Sequence, residues 1–267
     1  MNNRAIGLFD SGLGGLTVAS AIKQILPEEK LIYFGDTAHL PYGDKSSSSI
    51  IHYSEKIADF LLEKNVKIIL IACNTASALA YNFLKEYVGD RAIVLNVIDP
   101  VVNYITENYA HSKVGVIGTK GTINSNTYQN KIQNKNAGVK LFSKATPLFV
   151  PMIEEGFIYD NISNAIIHSY LSVDELKDIK ALILGCTHYP IIKNQIRKFY
   201  DFKVDVVDSA RIVASYLKRV LSENEMLNSK RNSEHEFYIS DYTQYFEVIA
   251  KMFFEKKINL TKINIWE

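Results

Sequence analysis

Ile68-Ile69-Leu70-Ile71-Ala72-Cys73-Asn74-Thr75-Ala76-Ser77 is the stretch whose reading decides the fold. Its five leading apolar residues include three β-branched isoleucines and predict a strand buried on both faces; the polar pair and small residues behind them predict the start of a helix. Cys73 therefore stands where a strand ends. In an open parallel sheet, ligands bind outside the carboxyl ends of the strands. Asn74 and Thr75 are expected to cap the helix, whose unpaired N–H groups stabilise a neighbouring thiolate. The arrangement recurs at Ala181-Leu182-Ile183-Leu184-Gly185-Cys186-Thr187-His188, and these are the only two cysteines of the chain. Two thiols on equivalent strand ends are placed to face each other across a crevice, one on either side of a bound molecule.

The rest of the composition narrows the field. At 267 residues the chain has room for one large α/β domain or two smaller ones. Thirty Lys and Arg against 29 Asp and Glu leave no one-signed field of the kind that binds nucleic acid or an anionic membrane, so a small molecule is the expected partner. No apolar run approaches the roughly 18 residues of a membrane span, and no apolar signal segment follows Met1, which predicts a cytoplasmic protein. In that reducing compartment no disulfide is expected. Two cysteines 113 positions apart form neither a CxxC motif nor a four-cysteine zinc site, so no metal is expected.

Taken in order, the chain reads as alternating strands and helices. Strands are predicted at residues 4–9, 31–34, 93–98, 113–118, 139–142 and 204–208, besides the two that precede the cysteines. Helices are predicted at 16–26, from 46–49 to about 65, and at 190–200 and 209–221, with Asp99 capping a helix that begins at Pro100. Residues 236–239 and 242–254 read as a closing strand and helix; 255–267 has no assignment. Val114-Gly115-Val116-Ile117-Gly118-Thr119 echoes Ile6-Gly7-Leu8-Phe9-Asp10-Ser11 at a separation of 108, close to the 113 between the cysteines. The strand ending at Asp208 echoes the one ending at Asp99 at a separation of 109. The prediction is an α/β protein of two similar parallel-sheet domains related by pseudo-symmetry, with the active site in the cleft between them. Their expected extents are 1–98 plus 209–267, and 99–208.

Several chemistries compete for these residues. Gly12, Gly14 and Gly15 at a strand-to-helix turn, with Asp36 about 20 residues further on, suggest a dinucleotide site. Thr17 replaces its third glycine, however, and Asp10 would repel a pyrophosphate. An aspartyl-phosphate phosphatase needs a second acid where Gly12 stands. Acyl transfer could use Cys186 with His188 but leaves Cys73 idle, and redox exchange requires the fold to join two distant cysteines. Proton transfer at a stereocentre uses both: a thiolate removes a proton from one face and the opposite thiol delivers one to the other. Each thiol then needs a partner to tune or relay its proton, and Asp10 is placed to serve Cys73 as His188 is to serve Cys186. His39, His52, His111, His168 and His235 form no cluster in the sequence.

The chain also resembles a known family. Phe9-Asp10-Ser11-Gly12-Leu13-Gly14-Gly15, Gly35-Asp36-Thr37, Pro41-Tyr42-Gly43, Cys73-Asn74-Thr75-Ala76-Ser77, Gly118-Thr119 with Thr122, Phe149-Val150-Pro151-Met152-Ile153-Glu154 and Gly185-Cys186-Thr187-His188-Tyr189-Pro190 are similar to the motifs of the glutamate racemases. The resemblance implies a cofactor-independent racemase that supplies D-glutamate for peptidoglycan. It implies Cys73 and Cys186 as the acid/bases, Asp10 assisting the first, and Glu154 and His188 assisting the second. Asp10, Ser11, Pro41, Tyr42, Gly43, Asn74, Thr75, Thr187 and His188 would hold the amino acid, with Thr119 and Thr122 near its side-chain carboxylate. A homodimer is the one protein partner considered. Rival readings are a pyridoxal-phosphate racemase using Lys120, an aspartate racemase, and a two-lobed module that binds amino acids without turnover.

Overall fold

The computed structural model describes residues 4–229, 234–242, 246, 250–251 and 258–266. Two parallel sheets organise them. The first has six strands in the order β10-β9-β2-β1-β3-β4, formed by β1 (Ile6–Asp10), β2 (Leu31–Gly35), β3 (Ile68–Ile71), β4 (Ile93–Asn96), β9 (Glu236–Ile239) and β10 (Leu260–Lys262). The second has four in the order β6-β5-β7-β8, formed by β5 (Lys113–Gly118), β6 (Lys140–Ala145), β7 (Ala181–Gly185) and β8 (Asp205–Val207). The β2-β1-β3-β4 portion of one matches the β6-β5-β7-β8 order of the other strand for strand. This is the internal symmetry that the sequence echoes anticipate.

Burial on two faces explains the unbroken apolar runs. Ile68, Leu70 and Ala72 join a core with helices α1 (Leu16–Ile25) and α11 (Ser209–Glu223), while Ile69, Ile71 and Cys73 face α2 (Ser47–Glu63) and α4 (Tyr81–Val88) on the opposite side. Successive strand side chains point to opposite faces, so a strand covered on both must be apolar throughout. β7 repeats the pattern. Leu182, Leu184 and Cys186 face α8 (Phe149–Glu154), α9 (Asn161–Leu171) and α10 (Lys193–Phe199), whereas Ala181 and Ile183 face α5 (Ile98–Asn108) and α7 (Thr127–Asn134). Helix α11 follows the second sheet yet packs on the first, burying Ala210, Val213, Ala214, Leu217, Val220 and Leu221 at helical spacing.

Some expected boundaries move, for local reasons. The strand expected over 93–98 stops at Asn96, whose Oδ1 accepts from the N–H groups of Ile98 and Asp99 at 2.9 Å each and turns the chain into α5 early. Asn96 rather than Asp99 thus caps that helix, and Asp99 pairs with Lys131 at 2.7 Å. The expected cap by Asn74 or Thr75 is likewise displaced: Cys73 is the cap of α3 (Asn74–Leu79), its sulfur accepting from Ala76 N–H at 3.5 Å. The chain after Tyr189 first makes a short 3₁₀ turn, Tyr189–Ile192, before α10. Part of 255–267, which has no pattern of its own, supplies β10. Of the helix expected over 242–254, residues 246, 250 and 251 are helical and most of the remainder lies outside the described residues.

At the edge of the first sheet away from the cysteines, Lys67 and Glu29 form an ion pair at 2.7 Å with side chains 0 % and 1 % exposed. Lys67 Nζ also donates to Met226 O at 2.7 Å and Asn228 Oδ1 at 3.0 Å, and Asn228 N–H donates to Glu29 at 2.9 Å. The pair therefore fastens the segment that leaves α11. Removing one partner leaves a buried charge uncompensated, which costs about 3–5 kcal/mol. Glu29→Gln is expected to lower stability by about that amount in urea unfolding; an unchanged midpoint would contradict a buried, structurally required pair.

Candidate active site

Strand register delivers the site. Phe9 pairs with Ile71, so Ser11 and Cys73 emerge side by side from β1 and β3; Gly118 pairs with Gly185, so Thr119 and Cys186 emerge together from β5 and β7. In each sheet the strand order reverses between those two strands, which is where open α/β sheets open a crevice for ligands. The two crevices meet. One small cavity of about 30 Å³ is lined by Ser11, Pro41, Tyr42, Gly43, Cys73, Asn74, Thr75, Thr119, Cys186, Thr187 and His188. Leu40, Val150 and Gly185 line it too; Val150 and Gly185 stand in the quoted motifs without a site role, and Leu40 stands in none.

Each thiol has its own surroundings. Cys73 is 5 % exposed, with its sulfur 3.7 Å from the Ser11 hydroxyl. Burial, reinforced by the nearby Asp10 carboxylate, pushes its thiol up to about 12, against the pull of the Ala76 N–H and Ser11. Cys186 lies 3.8 Å from His188 Nδ1, and the other ring nitrogen, Nε2, lies 3.1 Å from Glu154 Oε1. Of the two adjacent acids, half-buried Glu154 meets the histidine while Glu155 is exposed. Burial opposes the imidazolium of His188, but its hydrogen bonds to Cys186 and Glu154 prevail and carry its pKa well above the ordinary value.

Asp10 stands between these halves. Fully buried, its carboxylate accepts from Gly12 N–H at 3.0 Å and from the Thr187 hydroxyl at 3.2 Å, one donor from each half of the fold. Burial raises its pKa, and the charge of His188 and these hydrogen bonds counter part of that rise. Its influence on Cys73 is electrostatic. A second cross-cleft cluster joins Thr75 to Thr119 at 2.8 Å and to Thr122 at 3.2 Å, and the Tyr128 hydroxyl donates to Asn74 Oδ1 at 2.8 Å. These contacts draw Asn74 and Thr75 away from capping. Tyr128 carried no signal in the sequence, because an aromatic residue in a helix reads as core.

Two glycines serve close approach between the halves. A Cβ on Gly14 would fall 2.5 Å from Thr187 Oγ1 and 2.6 Å from His188 Nδ1; one on Gly43 would fall 2.7 Å from Thr119 Cβ. The Asp10–Gly15 turn therefore seats the second half rather than cradling a phosphate. Lys120 pairs with Asp44 at 3.1 Å, both more than half exposed. Among the described residues no group of three or more His, Cys, Asp or Glu could hold a metal ion, and no helix is long and apolar enough to cross a membrane.

Residues 15–217 match the family model Asp/Glu/Hydantoin racemase. The glutamate racemase of Chlorobaculum parvum is 40 % identical over 249 residues, covering 93 % of this chain and 91 % of that protein. Among solved structures, the glutamate racemase of Francisella tularensis in complex with D-glutamate superposes with a TM-score of 0.93 at 41 % identity, covering 100 % of this chain and 99 % of that one. A glutamate racemase isoform of Bacillus anthracis gives a TM-score of 0.93 at 32 % identity, covering 99 % of this chain and 98 % of that one.

The raised thiol pKa makes a signed prediction. Relative to the ordinary value of 9.0, folding favours protonated Cys73, so that contribution to stability is present below about pH 9 and is lost as pH rises towards 12. Alkylation of Cys73 by iodoacetamide, followed by peptide mass analysis, is expected to be slow at pH 7–8 and to accelerate up to the highest pH at which the fold survives. A rate already at its plateau by pH 8 would refute the raised pKa. Likewise, the His188 ring is expected to remain protonated at pH 7 by NMR, and Cys186→Ala to lower its pKa; an unchanged titration would exclude the pairing.

Proposed function

The chain belongs to the Asp/Glu/hydantoin racemase family, and we propose that it interconverts L- and D-glutamate without a cofactor, using Cys73 and Cys186 on opposite faces of the α-carbon and supplying D-glutamate for peptidoglycan. The observation that carries this reading is the pair of cysteines on equivalent strand ends lining one cavity. In one direction the thiolate of Cys73 takes the α-proton as the thiol of Cys186 delivers its proton to the opposite face; in the other the roles exchange. Each turnover in the first direction leaves Cys73 as the thiol and Cys186 as the thiolate, the starting state for the reverse direction, so one proton is taken for each one given and the charge of the pair is unchanged.

The surroundings suit unequal starting points. A thiol pushed up to about 12 rests protonated at neutral pH, and the ammonium of a bound amino acid, placed beside Asp10 and Cys73, adds the positive charge that favours its thiolate. His188, held between Cys186 and Glu154, relays the proton of the second thiol. The hydroxyls of Thr75, Thr119 and Thr122 offer donors for the side-chain carboxylate. We assign the halves as 1–98 with 209–267, and 99–208. They part to admit substrate, since about 30 Å³ has room for little more than a water molecule. Catalytic thiols that must stay reduced fit a cytoplasmic setting.

The test is L-glutamate in D₂O, with circular dichroism and mass analysis of both enantiomers. Wild type is expected to racemise it with deuterium entering at the α-carbon, and Cys73→Ser and Cys186→Ser each to lose about 10²–10⁴-fold in rate. An unexchanged α-proton would leave only a binding role, and full activity in either serine variant would defeat the two-base mechanism. Faster turnover of aspartate than of glutamate would reassign the substrate.

A further inference from the structure

The loop carrying Leu40, Pro41, Tyr42 and Gly43 into the cavity is held from behind by the last part of the described chain. Asp36, fully buried, accepts from the Tyr42 hydroxyl at 2.7 Å, from the Ser240 hydroxyl at 2.7 Å and from His39 Nδ1 at 2.9 Å. Ser240 Oγ in turn accepts from Ala38 N–H at 2.8 Å, and Asp241 N–H donates to Thr37 Oγ1 at 2.8 Å. The His39 ring stacks on Tyr53, centroids 4.1 Å apart and planes 17° from parallel. Trp266 closes this stack edge-on, 4.4 Å from His39 at 83° and 5.6 Å from Tyr53 at 81°.

A continuous chain of contacts thus runs from Trp266 through His39 and Asp36 to the hydroxyl of a cavity-lining tyrosine. The segment that brings Trp266 there is anchored upstream, where β10 pairs with β9 and Ile263 N–H donates to Ile239 O at 2.9 Å. At its far end the hold is looser. The indole Nε1 is buried without a hydrogen-bond partner among the described residues, so ring contacts with His39 and Tyr53 and packing against the core beneath seat the side chain. A seat made of ring contacts has a modest free energy and responds to small shifts beneath it.

We propose that Trp266 is a positioning residue for the Pro41–Gly43 loop: its docking on His39 holds Asp36 and Tyr42 in the arrangement that binds the amino acid. The proposal rests on the reading of the cleft as an amino-acid site. Coupling of this kind is reciprocal, so changing the Tyr42 end must also loosen the Trp266 end. The chain contains one tryptophan, so its fluorescence reports Trp266 alone.

Two measurements test it. In steady-state racemisation, Trp266→Ala is expected to raise KM for glutamate about fivefold, the scale of one lost aromatic pair, with kcat within about twofold, and Trp266→Phe to restore KM. Unchanged KM, or a fall in kcat and thermal midpoint with KM unmoved, would show a merely structural role and overturn it. In the absence of substrate, Tyr42→Phe is expected to raise acrylamide quenching of Trp266 about twofold and shift its emission to the red. Identical quenching and emission in the two proteins would overturn the coupling whatever the turnover. Should wild type fail to racemise glutamate, the catalytic reading falls, and the quenching result alone upholds or overturns the Trp266 contact path.

Discussion

A buried carboxylate shared between two halves of a chain is the constraint on which this structure depends. Asp10 is fully buried, and an uncompensated charge in such a place costs several kcal/mol. It is compensated by the Gly12 N–H of its own turn and by the Thr187 hydroxyl of the other half. Satisfying that charge brings Thr187 and His188 down onto the Gly14 turn, where a Cβ would collide with them. The same descent brings Cys186 to the cavity that Cys73 lines. The glycine that reads in sequence as a phosphate turn is, in three dimensions, a contact surface.

The two ends of the cleft are electrostatically unequal although the topology is the same. On the Cys73 side, burial and Asp10 oppose a second negative charge. On the Cys186 side, His188 and Glu154 form a chain of hydrogen bonds reaching from the sulfur towards half-exposed Glu154. One thiol is thus isolated and held protonated, and the other is connected. Pseudo-symmetric scaffolds readily support this division because the strand ends are equivalent while the loops that follow them are free to differ.

The first sheet is larger than the second because the chain comes home to it. β9 and β10 extend it beyond β2, and α11 covers the face shared with α1. This return does more than enlarge a core. Ser240 and Asp241, at the end of β9, hold the loop between Asp36 and Gly43, and Lys67 with Glu29 fastens the connection at the other edge of the same sheet. One half of the cleft is therefore built from sequence positions some 200 residues apart.

The fully buried strands were legible in the sequence because a strand covered on both faces must be apolar at every position, as residues 68–71 and 181–185 are. The placement of both cysteines at strand ends followed, since side-chain period and helix-start chemistry are local. Their symmetry followed from the echoes between the halves. The structure alone decided which helix caps act, because Asn74 and Thr75 are drawn across the cleft to Tyr128 and Thr119, and Asn96 takes the turn expected of Asp99. It alone brought His39 beside Asp36, set Trp266 against it, and gave Glu154 its hydrogen bond to His188. Propensity and periodicity are properties of neighbours in sequence. Which polar groups meet depends on how two sheets dock, a relation between distant residues that no local pattern encodes.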